Sequence, residues 1–137
     1  MSDQHDLEWR RNVSSGSIYE ERVGYSRAVR VGNQVFVAGT TAIKEGHVVG
    51  VDVPAAQARA ILDIIERSLA DAGATWRDVV RYRVYLVDIS HWQAVAEVLA
   101  ATSGDVRPVN TLVGVSQLVD PEMLVEIDVD AVIAPSM

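Results

Sequence analysis

The sequence predicts an α+β fold, a mixed sheet with two helices on one face. Three observations carry that expectation. Periodic segments run in the order strands, helix, strand, helix, two strands, without the regular alternation that builds an all-parallel sheet. Two of the segments carry one apolar stripe at helical spacing. A length of 137 residues, 49% of them hydrophobic, suits one core, so residues 1–137 are expected to form a single domain. A sheet covered on only one face leaves the other to water or to another subunit.

Each element has its own local reason. Met1 to Ser17 is polar and ends in Ser14-Ser15-Gly16-Ser17, so this segment is expected to be partly mobile, with a short edge strand over Trp9 to Val13. The β-rich runs SRAVRV and QVFVAGT between Ser26 and Thr40 flank Gly32-Asn33, a pair suited to a tight hairpin turn. A further turn is expected at Glu45-Gly46. Pro54, with Asp52 nearby, marks a helix start, and Ala58, Ile61, Leu62, Ile65, Leu69 and Ala72 form one buried stripe that Gly73 ends. On the opposite face, Arg59, Asp63 and Arg67 are expected to pair weakly in water.

Val79 to Val87 reads as a strand with Val80, Tyr82, Val84 and Leu86 on one side and Arg81, Arg83, Tyr85 and Val87 on the other. Ser90-His91-Trp92-Gln93 has the spacing of a capping box, which predicts a helix to about Thr102 that Ser103-Gly104 stops. Two strands, Val109 to Gln117 and Leu124 to Ile133, complete the chain around a turn at Asp120-Pro121.

Composition excludes several functions. A formal net charge of −7 and the lack of a basic stripe disfavour a nucleic-acid partner. No apolar run approaches the roughly 20 residues that span a bilayer, and the polar start is unlike a signal peptide, so the expected compartment is cytoplasmic with no membrane partner. There are no cysteines, which removes disulfides, thiolate metal sites and a cysteine nucleophile. His5, His47 and His91 are scattered and lack the close pairing that zinc needs. No metal site is expected.

The candidate site residues each have two readings. Arg81, Arg83 and Tyr85 share one side of their strand, and Glu126, Asp128 and Asp130 one side of theirs. If these strands pair, opposite charges meet. The acids then form an ion-paired sheet face, or Glu126 orients a water in a cleft. Tyr25 is a packed aromatic or a site phenol. Thr40 and Thr111 can hydrogen-bond a polar ligand but are equally at home in strands. Trp76 and Trp92, near helix ends, read as core or rim aromatics rather than a stacking platform.

Several segments together resemble the RidA (YjgF) superfamily of reactive-intermediate deaminases. They are Gly24-Tyr25-Ser26-Arg27-Ala28-Val29, Val31 to Gly39, Gly73-Ala74 with Asp78-Val79-Val80, Val84 to Asp88, and Leu124-Val125-Glu126-Ile127. The resemblance spans roughly Gly24 to Ile133 and rests on order and spacing rather than on one motif. It implies a chorismate-mutase-like, six-stranded sheet backed by two helices, associated as a homotrimeric barrel with small-molecule clefts between subunits. In the family such a cleft hydrolyses a 2-imino or 2-enamino acid to a 2-keto acid and ammonia without a cofactor.

The resemblance also implies site roles. Tyr25 matches the cleft tyrosine and Glu126 the water-positioning glutamate. Ala38 stands where the family commonly has serine, Pro108-Val109-Asn110-Thr111 where it reads Pro-x-Arg-[Ser/Thr], and Leu112 where it often has cysteine. Asn110 therefore occupies the place of the carboxylate-binding arginine. An asparagine cannot reproduce that arginine's bidentate, charge-assisted contact. Arg83 remains a candidate replacement. Arg107 is another, although its odd offset from Asn110 points it to the other side of a strand. Three functions follow as alternatives: imine or enamine hydrolysis with an altered substrate, a non-catalytic ligand-binding or regulatory protein, and, disfavoured by charge, an endoribonuclease.

Overall fold

A computed structural model describes residues 9–135. In chain order the elements are β1 (Arg10–Val13), α1 (Ile18–Val23), β2 (Ala28–Val31), β3 (Gln34–Thr40), β4 (Ile43–Lys44), β5 (His47–Val48), α2 (Pro54–Asp71), β6 (Val79–Leu86), α3 (Trp92–Ser103), β7 (Val109–Gly114) and β8 (Val125–Val132). Six strands form one mixed sheet in the order β1-β2-β3-β8-β6-β7, and β4 and β5 form a separate two-stranded ribbon. All neighbouring pairs are antiparallel except β6 with β7. The expected mixed sheet and the two long helices are present. The expected mobility of the N-terminal segment falls, for residues 1–8, outside the described residues.

Alternation decides which face is covered. Val35 and Val37 of β3, Tyr82, Val84 and Leu86 of β6, and the odd-numbered residues Val125 to Ala131 of β8 are buried. They meet Ala58, Ile61, Leu62, Ile65 and Leu69 of α2 and Val95, Val98 and Leu99 of α3 in one core. The predicted stripe on α2 is thus the buried stripe. The expected Arg59–Asp63–Arg67 pairing is replaced by a loose, exposed pair of Asp63 with Lys44 at 4.0 Å. Gln57, fully buried on α2, donates to the Glu122 carbonyl at 2.8 Å and accepts from the Leu124 amide at 2.8 Å. It fastens the start of β8 to the helix layer.

One expectation is corrected outright. The sheet is open, edged by β1 and β7, and among the described residues no sheet closes into a barrel. Closure needs every strand to have two neighbours. The homotrimeric barrel therefore gives way to an open six-stranded sheet within one chain.

Three local expectations also change. In β6 the register shifts between Val79 and Arg81, so Val79 is buried and Val80, placed on the core side by alternation, is 45% exposed. At α3 the Asp88 carboxylate, rather than a Ser90 box, accepts the Ser90 amide at 2.9 Å, and a 3-10 turn leads into the helix. Helix α1 occupies a stretch for which the sequence pattern predicts no element. Ser17 caps it by accepting the Tyr19 amide at 3.2 Å, and Gly24, at φ 84°, ends it in the left-handed region.

Candidate functional site

The sheet face turned away from the helices carries most of the polar chemistry. The antiparallel register of β6 with β8 sets Tyr85 against Glu126, Arg83 against Asp128 and Arg81 against Asp130. Opposite charges do meet. Arg83 Nη1 donates to Asp128 Oδ1 at 3.1 Å and to Asp130 Oδ2 at 3.2 Å, Arg81 Nε lies 3.7 Å from Asp130, and the Tyr85 hydroxyl donates to Asp128 Oδ2 at 2.9 Å. Burial, and then the bond to Asp128, push the Tyr85 phenol up from its ordinary range.

Glu126 stands apart in this row. No hydrogen bond from the described residues reaches its carboxylate. Burial holds the pKa of its carboxyl above the ordinary glutamate range, the charge of Asp128 adds to the rise, and Arg27 opposes it. Space for the carboxylate comes from β3. The register with β8 slips between Val37 and Thr40, so Ala38 and Gly39 bulge where one residue would otherwise stand. A Cβ on Gly39 would lie 3.0 Å from Glu126 Cδ and closer still to Oε2. The carboxylate thus rests against bare backbone.

Arg27 organises the other side of this spot. It precedes β2 and is only 5% exposed. Its Nη1 donates to the Gly39 carbonyl at 3.1 Å and to Thr40 Oγ1 at 2.9 Å, and Nη2 donates to the Tyr25 hydroxyl at 3.2 Å. The guanidinium also lies 5.5 Å from the Tyr25 ring centroid. Its counter-ion is Glu20 of α1, 6% exposed, at 3.7 Å from Nε. Nε itself has no hydrogen-bond acceptor among the described residues. Glu20 in turn accepts from the Ser14 hydroxyl at 3.0 Å and from the Ser15 amide and hydroxyl. Sequence reasoning does not single out Glu20 or Arg27 as site residues. The Ser17-x-x-Glu20 spacing, an N-terminal helix signal, is the one feature that draws attention to Glu20.

The predicted site residues divide into three groups. Tyr25, Ala38, Thr40 and Glu126 all neighbour Arg27 or the Gly39 bulge. The Thr40 hydroxyl is already used, accepting from Arg27 and donating to the Ala38 carbonyl at 2.8 Å. Arg83 lies on the same sheet face but is committed to Asp128 and Asp130. Thr111 pairs with Arg83 across β6 and β7 and shares that face. Asn110 and Leu112 do not, because their register partners are Tyr82 and Val84, both buried in the core. Within one chain, Asn110 and Glu126 are therefore on opposite sides of the sheet. Arg107 is exposed, has φ 56° and precedes β7.

Residues 18–133 match the model of the endoribonuclease L-PSP family. In structure the chain resembles the Mycobacterium tuberculosis protein Rv2704, a member of the YjgF/YER057c/UK114 family, with 51% identity, a TM-score of 0.83, and 90% of this chain and 99% of that one covered. In sequence it is 35% identical over 106 residues to a RutC family protein of Pyrococcus abyssi, covering 76% of this chain and 82% of the relative. It is also 35% identical over 104 residues to the 3-aminoacrylate deaminase RutC of Acinetobacter baylyi, covering 75% and 82%. No helix among the described residues is long and apolar enough to cross a membrane.

Proposed function

Since the chain belongs to the endoribonuclease L-PSP family, the RidA/YjgF superfamily, we propose that it hydrolyses an imine or enamine other than an ordinary 2-imino acid at a small-molecule cleft around Glu126. The observation that carries this reading is Glu126 itself: a half-buried carboxylate against Gly39, without a hydrogen-bond donor among the described residues and with its pKa raised by burial. A base raised toward neutrality is better matched to taking a proton from water. Water bound at Glu126 would add to the C=N carbon as the carboxylate takes its proton and the π pair moves to nitrogen. Glu126 then returns that proton to nitrogen, the carbinolamine hydroxyl gives its own proton to nitrogen as the C–N bond breaks, and ammonia leaves as C=O forms, while Tyr25 would donate a hydrogen bond to the departing nitrogen or the carbonyl oxygen. A relative named 3-aminoacrylate deaminase supports deamination as the reaction class.

Asn110 supports the altered substrate. It offers a donor and an acceptor but no charge, and it stands on the exposed edge strand β7. Facing away from Glu126 in its own chain, Asn110 reaches a shared cleft only if a second copy completes it. Self-association across the open sheet face is part of the proposal. Cleavage of RNA, which the family's description names, is disfavoured by a net charge of −7 and by Arg81 and Arg83 being spent on Asp128 and Asp130. Ala38, Asn110 and Leu112 together also fit a cleft that binds without turning over.

The deciding experiment is hydrolysis of a panel of neutral and anionic imines by purified protein and by Glu126→Ala. Turnover of a neutral imine that disappears in the variant is expected. Equal turnover in both proteins would remove Glu126 from the reaction, and binding without turnover across the panel would favour the binding-only role.

A further inference from the structure

A guanidinium clamps a carboxylate when two parallel N–H groups are open to it. Arg27 has no such pair to offer. Its Nη1 is spent on Gly39 and Thr40, one N–H of Nη2 goes to Tyr25, and its Nε, which makes no hydrogen bond among the described residues, is closed off by burial and by the Glu20 carboxylate 3.7 Å away. Arg81 and Arg83 are likewise matched by Asp130 and Asp128. What stays open is complementary in a different sense. Glu126 has acceptor oxygens without a donor among the described residues, and the cost of its burial shows in its raised pKa. The Tyr25 oxygen already accepts from Arg27, which turns its single proton away from the guanidinium and makes the phenol a directed donor.

We propose that Arg27 is a specificity-determining positioning residue, fixing Tyr25 as a donor beside the acceptor Glu126 so that the cleft selects a ligand with an N–H-bearing, neutral or protonated nitrogen and no carboxylate. The proposal rests on the cleft at Glu126 described above and deepens it by naming the ligand's chemistry. An N–H directed at Glu126 gains a charge-assisted bond, and a protonated nitrogen also neutralises the carboxylate. A carboxylate ligand meets Glu126, with Asp128 nearby, and finds no unpaired cation among Arg27, Arg81 and Arg83.

Three isosteric probes test this: benzamidine, protonated at neutral pH, neutral benzamide, and anionic benzoate, each titrated by calorimetry or ligand-observed NMR. The wild-type protein is expected to bind benzamidinium at least about tenfold more tightly than benzoate, the factor that one charge-assisted hydrogen bond can supply. Benzamide should fall between. Glu126→Gln should erase the advantage of the cation. Arg27→Lys, which keeps the charge but cannot hold the same three acceptors, should weaken benzamide binding in the wild-type background and change it little in Tyr25→Phe. A purely structural role for Arg27 would weaken both backgrounds alike and would sink the positioning role. The ligand class is overturned if benzoate binds most tightly, if Glu126→Gln keeps the ranking, or if none of the three probes binds. Failure of imine turnover with the ranking intact would remove the proposed reaction and leave this inference standing. Turnover combined with a benzoate preference would do the reverse.

Discussion

Arg27 and Arg83 each pair with carboxylates, yet the protein uses them differently. Arg83 bridges Asp128 and Asp130 on the sheet face with 38% of its side chain exposed, and Asp130 is 26% exposed. Water screens such a network, and its worth in stability is small. Arg27 and Glu20 are both 6% exposed at the side chain, with serine groups donating to Glu20 and three acceptors taking hydrogen bonds from Nη1 and Nη2 of Arg27. A buried pair need not stabilise relative to an apolar one, but losing one partner is costly because the other is left uncompensated. The difference teaches that the buried cation is held by fixed hydrogen-bond acceptors as well as by its counter-ion, while the better exposed cation serves to neutralise acids.

Each part of that comparison can be broken. The largest effect is expected from Arg27→Met, which strands Glu20 in the interior and should cost about 3–5 kcal/mol in urea unfolding. Adding Glu20→Leu should recover much of the loss, and no recovery would show that the pair is not the source. Next, Gly39→Ala drives a Cβ into the Glu126 carboxylate, whose flexible end can move aside. Ligand affinity or turnover should fall at least about tenfold, while unfolding shifts by no more than about 1 kcal/mol. A large stability loss with function intact would contradict the placement of Glu126.

Smaller still, Arg83→Ala should destabilise by roughly 0.5–1 kcal/mol, with the difference shrinking as salt is added. A salt-independent loss of several kcal/mol would erase the contrast with Arg27. The smallest effect is a pH signature at Glu126. Burial raises its folded-state pKa above the unfolded value, so the unfolded chain loses this proton first as pH rises. The contribution to stability is full below the unfolded value, about pH 4, and is lost as pH climbs through the folded one. Glu126→Gln should therefore melt slightly above wild type at pH 7 and lose that advantage in acid. A difference that persists below about pH 4 would point to a cause other than ionisation.

The sequence reveals most of the fold because its main devices are local. Gly32-Asn33 marks the hairpin, and the stripe from Ala58 to Ala72 marks α2. The alternation around Arg83 and Asp128 anticipates a register that the attraction of opposite charges favours. What escapes is decided by partners distant along the chain. Alternation cannot register the slips at Val79 and Gly39, which depend on β8. It fixes that Asn110 and Thr111 point to opposite sides but not which side is covered, since pairing with Tyr82 settles that. Arg27 reads in SRAVRV as an ordinary polar strand residue, and only the approach of α1 makes it the partner of Glu20. The barrel expectation rests on resemblance rather than on periodicity, and the open edges at β1 and β7 replace it.

The Gln57 clamp bears on how this family scaffold can diversify. Because the helix layer holds Glu122 and Leu124 directly, the height of Glu126 is gauged from α2 and not from the connection after β7. Residues 115–121 can therefore change length or chemistry while the carboxylate keeps its datum.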